Sequence, residues 1–370
     1  MANILDYVKW RGDLTFTQDG VNAVDALVFS ALSYICYGCR VQGEPDTPVV
    51  LKDAAESYFA LENHEERCRV KHDLDLLHLA AGSVRFGNAQ IVRYRDELIP
   101  EQETQFAAMT FLLDDGSMFL AFRGTDYSLV GWKEDFNMTF QQTVPAQRLA
   151  QQYVRDVALE YPQPMYLGGH SKGGNLAVFA AARSSPMLQS RIHGVFSNDG
   201  PGFTKYLMGD PGYLAMVPKI KTYIPQSSVI GMLLEHEEPY TVIRSKNVGL
   251  LQHDPYSWEV LGREFIPVQE ITESSQFVDA TIKTWFADMS NADRNQLVDV
   301  MFTLLGSGEV STVQDLLQPK NIRTYIKTLS SDAGIRRVLS TEFQSLIEAA
   351  RKTKARFDES RELLDAPKEE

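Results

Sequence analysis

The chain has 370 residues, 44% hydrophobic and 23% charged, an ordinary globular composition with enough apolar content for a sizeable core. Its formal charge of -13 lacks the basic footprint that nucleic acid or an anionic membrane would need as an electrostatic partner. Three cysteines, Cys36, Cys39 and Cys68, are too few and too odd for a disulfide framework; we read them, including the Cys36-x-x-Cys39 pair in its apolar run, as structural thiols.

The start, Met1 to Leu14, is interrupted by Asp6, Lys9, Arg11 and Asp13 and carries no signal-peptide core. No run of about 18 apolar residues could span a bilayer. The expected location is therefore the cytoplasm. The first hundred residues read mainly as helical, with helical spacing over 22–34 and 51–61. Around Gln90 the pattern changes, and 105–113 and 118–123 read as two strands around the turn Asp114-Asp115-Gly116-Ser117. Alternation follows: helix 144–160, strand 165–168, helix 172–184, then strands 193–197, 220–224 and 240–244. Strands alternating with helices predict an α/β fold, a mostly parallel sheet covered on both faces, with its ligand site at the carboxyl ends of the strands. After Pro267 the strand signals stop. The spans 271–289, 292–305 and 341–355 read as helices, and 354–370 as a solvated helical end. We expect a catalytic domain over 1–267, with a helical segment over about 1–88, and a helical region over 268–370.

Gly169-His170-Ser171-Lys172-Gly173 lies between the apolar strand Met165-Tyr-Leu-Gly and the apolar helix that continues through Asn175-Leu-Ala-Val-Phe. A sharp strand-to-helix turn strains the serine and needs small residues two before and two after it, which Gly169 and Gly173 supply. The helix amino terminus adds N–H donors for a developing oxyanion. Ser171 is the expected nucleophile of an α/β-hydrolase fold.

Phe122-Arg-Gly-Thr-Asp, then Gly131-Trp-Lys-Glu-Asp-Phe, then Gly169-His-Ser-Lys-Gly-Gly together resemble the fungal-type (class 3) lipases, and more closely their uncharacterised bacterial lipase-like relatives, over roughly 22–260. By that resemblance Thr125 supplies an oxyanion N–H and hydroxyl, and the second donor is the backbone N–H of Lys172. Arg123 and Asp135 are expected to pair and hold the loop.

A serine of ordinary acidity needs an imidazole, and the imidazole needs a carboxylate. Chain order in this fold runs Ser, acid, His. His253 follows the last predicted strand and is the expected base, with His236 as an alternative. Asp199, at the end of the strand after the nucleophile helix, is the expected acid, with Glu235 and Asp254 in reserve. The position where fungal-type lipases carry the acid reads Ile224-Pro-Gln-Ser-Ser here, a departure from their pattern. The segments 202–217 and 225–234 are apolar and glycine-hinged, and could form an acyl wall or lid, or plain core. Val229, Met232 and Leu233 are the candidate substrate contacts. Lys172 hints at anionic head groups. No metal cluster, phosphate loop or dinucleotide fingerprint is visible, so no cofactor is expected. The expected partner is a small acyl ester or lipid, with peripheral contact to a membrane or micelle left open. The expected activity is carboxylic-ester hydrolysis through an acyl-enzyme. A thioesterase or amidase on the same triad, and a non-catalytic binding protein on the same fold, are the alternatives.

Overall fold

A computed structural model describes residues 2–37, 47–126, 128–308 and 318–365. Cys39, and with it the Cys-x-x-Cys pair, lies outside the described residues. Cys36 and Cys68 are unbridged and half-buried, more accessible than the expected structural thiols. In chain order the elements are α1 Ile4–Arg11, α2 Ala23–Leu32, β1 Val49–Val50, α3 Leu51–Phe59, α4 Lys71–Ala81, α5 Val84–Gly87, β2 Gln90–Ile99, β3 Thr104–Leu112, β4 Met118–Phe122, α6 Leu129–Met138, α7 Pro145–Glu160, β5 Met165–His170, α8 Lys172–Ala182, α9 Pro186–Arg191, β6 Ile192–Asn198, α10 Pro211–Met216, β7 Ile220–Pro225 and β8 Tyr240–Ile243. A short hairpin follows, β9 Val260–Leu261 and β10 Glu264–Phe265, and then α11 Glu273–Ala287, α12 Asn291–Gly306, α13 Pro319–Ser331 and α14 Ala333–Asp365.

β1 to β8 form one sheet in sequential order. β1 to β4 pair antiparallel, and β4 to β8 pair parallel. The parallel part comes from short continuous apolar runs such as Met118-Phe-Leu-Ala-Phe, buried throughout, because helices cover both faces. The two-residue period of a strand divides these runs between two cores. Phe119, Ala121 and Phe196 face a core built with α1 to α5, whereas Met118, Leu120, Phe122 and Val195 face one built with α7, α8 and α10. Each fully buried Phe contributes about 1.5–3 kcal/mol, so these layers fix the sheet on which the loops at its carboxyl edge are carried.

One expectation needs correction in the amino-terminal third. Gln90–Ile99 is a strand with a bulge between Val92 and Arg95, and Arg93 there has φ 53°. Its charged run Arg93, Arg95, Asp96, Glu97 hides the strand, because β2 lies beside the edge of the sheet, where charged side chains reach water. The helix α2, by contrast, is capped as its sequence suggests. Asn22 accepts from the N–H groups of Val24 and Asp25, and Asp25 accepts in return from Asn22. Asp25 is itself fully buried and neutralised by Arg85, with Nη2 at 2.6 Å and Nε at 2.7 Å.

Beyond Pro267 the described residues are helical, as expected. These helices are tied to the rest. α12 packs on α6 through Phe136 and Phe302, ring centroids 6.0 Å apart, and through Lys133 to Asp299 at 2.8 Å. At the start of α11, Ser275 donates to the Ser228 carbonyl at 2.6 Å, and the Thr272 N–H donates to the Gln226 carbonyl at 2.7 Å. No helix among the described residues is long and apolar enough to cross a membrane.

Candidate active site

β5 ends at His170, and α8 begins at Lys172, so Ser171 is the single residue of the turn. Its φ of 60° and ψ of -134° lie where an L residue is strained. The turn closes only because Gly169 and Gly173 lack side chains: a Cβ on Gly169 would come within 2.2 Å of the Gly173 carbonyl carbon. The next strand, β6, registers Asn198 against His170, and the Ser171 N–H donates to the Asn198 carbonyl at 3.0 Å. Ser171 and Asp199 therefore leave adjacent strands at the same level. Asp199 also has positive φ, 53°, so two of the strained non-glycine positions stand side by side at this edge.

Asp199 is fully buried. Its Oδ2 accepts from His253 Nδ1–H at 2.6 Å, and its Oδ1 accepts from the Ser228 hydroxyl at 2.5 Å. The Asp199 N–H donates to Tyr223 on β7 at 2.8 Å. Ser228 belongs to the segment whose serines replace the acid of the fungal-type pattern. Here Ser228 bonds the carboxylate of Asp199, one strand earlier, while Ser227 bonds Gln252 and Thr272. Gly231 closes the same pocket, since a Cβ there would meet Asp199 Oδ1 at 2.3 Å. Neither Ser228 nor Gly231 was singled out from the sequence; the missing acid at 224–228 was the one available signal.

The alternative partners are engaged elsewhere. His236 Nδ1 meets Glu238 at 3.0 Å, and its Nε2 meets the Gly231 carbonyl at 2.9 Å. Glu235 is exposed and bridges Phe203 through its backbone. Asp254 caps the next turn by accepting from Tyr256 N–H at 3.1 Å. His253 ends a short 3-10 turn, Gly249–His253, whose Leu250 and Leu251 are exposed.

Thr125 lies beyond the carboxyl end of β4, beside β5. A Cβ on its neighbour Gly124 would lie 3.1 Å from Ser171 Cβ, so this loop runs alongside the nucleophile. The Thr125 hydroxyl donates to Asp135 at 2.5 Å, so the expected hydroxyl donor is engaged by a carboxylate. The expected Arg123–Asp135 pair is not formed. Arg123 instead clamps Asp96 of β2 at 2.7 and 3.0 Å, the partner supplied by the strand hidden in the sequence.

Lys172 corrects a second expectation. Its side chain is buried, and Nζ donates to the Gln105 carbonyl at 3.0 Å, Gln105 Oε1 at 2.7 Å and Glu134 Oε2 at 3.1 Å. It cannot greet an anionic head group, and only its backbone N–H, in the first turn of α8, is free of an intrahelical partner. Glu134 also accepts from the N–H groups of Gln105 and Ala146 at 3.1 and 2.8 Å. This carboxylate stands inside the motif Gly131-Trp-Lys-Glu-Asp-Phe and was not singled out.

Asp135 Oδ1 is out of solvent and lacks a hydrogen-bond partner. Burial pushes this carboxyl up to about 6, with the Lys172 ammonium pulling the other way. A carboxyl raised in the folded state contributes stability that is full below its unfolded value near 3.8 and is lost as pH rises through about 6. Asp135→Asn is therefore expected to match wild type in thermal midpoint near pH 4 and to exceed it by a margin that grows to about pH 6 and is then constant; the margin is small, because 36% of the Asp135 side chain is exposed. A difference that stays constant across that range would contradict the assignment.

In 202–217, Phe203, Leu207, Tyr213 and Met216 are buried core beneath α8, whereas Tyr206 and Leu214 are exposed. In 225–234, Val229, Met232 and Leu233 are half-buried. Met232 packs with Ile224, Val242 and Ile271 and lines a cleft of about 650 Å³ at the β8 edge, which contains none of Ser171, Asp199 and His253.

A sequential, half-parallel sheet carrying a strained serine between strand and helix defines an α/β-hydrolase fold. The chain belongs to the Mbeg1-like family, whose model matches residues 80–303, more than half of the chain. Among solved structures it is similar to the M37 lipase, at 14% identity with a TM-score of 0.38, covering 57% of this chain and 70% of that one. It is also similar to the Rhizomucor miehei lipase propeptide complex, at 15% identity with a TM-score of 0.34, covering 60% and 68%. Among curated proteins none matches it.

Proposed function

We propose that the protein is a serine hydrolase of carboxylic esters, acting on lipid or other acyl esters through Ser171, His253 and Asp199. The observation that carries the reading is the 2.6 Å contact of His253 Nδ1 with a buried carboxylate, beside a serine held strained between β5 and α8. Asp199 fixes the His253 tautomer, which leaves Nε2 as the base. Ser171 Oγ attacks the ester carbonyl while His253 takes its proton. The N–H groups of Thr125 and Lys172 stabilise the oxyanion. The alcohol leaves with the proton from His253, and water, activated by the same imidazole, hydrolyses the acyl-enzyme. Val229 and Leu233 are the acyl contacts of this reading, while Met232 lines the separate cleft at the β8 edge. Residues 1–267 make the catalytic domain and 268–370 a helical region that buttresses it through Ser275 and Ser228.

A panel of p-nitrophenyl esters from acetyl to palmitoyl, with matched thioesters and amides, tests this reading. The expected result is ester turnover that rises to an optimum at one chain length and vanishes in Ser171→Ala. Turnover that persists in that variant, or faster cleavage of the thioester or amide series, would overturn it.

A further inference from the structure

His170 is the residue immediately before Ser171, and it is buried. Its two ring nitrogens both have partners. Nε2 lies 2.7 Å from the carbonyl oxygen of His253, and Nδ1 lies 3.2 Å from the Tyr34 hydroxyl. A carbonyl can only accept, so Nε2 carries the proton, and Nδ1 is then the lone pair that accepts from Tyr34 O–H. The tautomer is thus set by the partners. The two imidazole rings stand 4.5 Å apart, tilted by 34°. Burial holds His170 well below the usual histidine range, and the neighbouring His253 and Arg69 act in the same direction. It remains a neutral donor to the His253 carbonyl.

The Tyr34 end is also fixed. Arg69 stands over the Tyr34 ring, 4.0 Å from its centroid, and a Cβ on Gly124 would come within 2.2 Å of the Tyr34 hydroxyl. The hydroxyl therefore sits where the oxyanion loop, the end of β5 and α2's carboxyl end converge. In the His253 turn, Val248, Leu250 and Leu251 are exposed, while Gln252 is buried and held by the Ser227 N–H, the Asn247 carbonyl and Trp258 Nε1–H; the His170 contact is the bond made to the main chain of His253 itself.

We infer that His170 is a positioning residue that ties the main chain of the general base to the chain neighbour of the nucleophile, with Tyr34 fixing the tautomer that makes the tie. Resting on the ester-hydrolase reading above, it extends that reading to the residue next to the serine. Asp199 orients the His253 ring from one side, and His170 holds its backbone from the other. The separation of base and nucleophile is then set directly across one residue of β5, in addition to the Gln252 bonds that hold the 249–253 turn. A displacement of about 1 Å in such a pair costs on the order of 100-fold in rate.

Two measurements on the full chain test the inference. The first is independent of activity: imidazole ¹⁵N spectra of wild type should show His170 neutral, with a slowly exchanging Nε2–H, from pH 5 to 8. In His170→Leu the His253 signals should broaden or shift, whereas in His170→Gln, which keeps a donor at that reach, they should stay near wild type. The second is the rate constant of fluorophosphonate labelling per reactive serine, scored separately from the labelled fraction. His170→Leu should lower that rate about 10–100-fold, His170→Gln should restore most of it, and Tyr34→Phe should fall between. A purely structural role would reduce the labelled fraction and leave the rate constant intact. His170 titrating between pH 5 and 8, or His170→Leu labelling at the wild-type rate with unchanged His253 signals, would overturn the inference. If wild type does not label at all, the hydrolase reading fails, while the spectra still decide the tie.

Discussion

Asp199→Asn is expected to lower kcat for ester turnover by about 10³–10⁴-fold with KM nearly unchanged. The buried Asp199 carboxylate makes one contact that selects the His253 tautomer and one, from Ser228, that holds the carboxylate itself. An asparagine fits the same volume and can still accept from Ser228. Turned that way, its amide nitrogen faces His253 Nδ1, and the donor–donor clash favours the tautomer with the proton on Nε2, where it cannot act as base. Because the substitution changes a group that acts in the transition state, the loss falls on kcat. Steady-state kinetics on the best ester of the panel checks this. A fall of less than tenfold would remove Asp199 from the catalytic set and reopen the search for the acid.

The second large effect is on stability. Lys172→Met is expected to destabilise the protein by about 3–5 kcal/mol, a drop in thermal midpoint on the order of 10 °C. Lys172 is buried with three acceptors on Nζ, and removing it leaves the carboxylate of Glu134 buried without its cation. Breaking a buried pair costs more than replacing both members with apolar groups. The double variant Lys172→Met with Glu134→Leu should therefore recover much of the loss, less whatever the Gln105 and Ala146 N–H groups lose as donors to Glu134. Thermal denaturation of the three variants against wild type measures both quantities. A single variant within 1 kcal/mol of wild type would show that the ammonium is not what neutralises this pocket.

The parallel half of the sheet was legible because its signal is local. Continuous apolar runs such as Met118–Phe122 and Met165–Gly168 can be buried on both faces in few other ways. Strand β2 was not, because a bulge and a run of alternating charges suit an edge-proximal strand as well as a surface helix. Helices α6 and α13 were also missed, the first because Gly131-Trp-Lys-Glu-Asp-Phe reads as a motif before it reads as a helix. At the site, local grammar reaches the strained turn at Ser171, specified within five residues, and strand ends with chain order single out Asp199 and His253, which the fold brings into contact. It does not reach Ser228, Gly231, Glu134, Tyr34 or the role of His170, since each matters through a partner tens of residues away. Arg123 shows the same limit: the nearby carboxylate, Asp135, is a plausible partner by distance along the chain, but Asp96 of the unrecognised strand is the one that hydrogen-bonds it, with Asp126 at 3.6 Å. Tertiary pairing decides such cases, and pairing is what a single sequence least reveals.

The central claim is that Ser171 is a nucleophile activated by His253. It is tested most directly by treating the folded protein with a fluorophosphonate and mapping the adduct by mass spectrometry. One adduct is expected, on Ser171, formed in wild type, abolished in Ser171→Ala and slowed severely in His253→Ala. An adduct on another residue, or none in protein whose fold is verified, would contradict it.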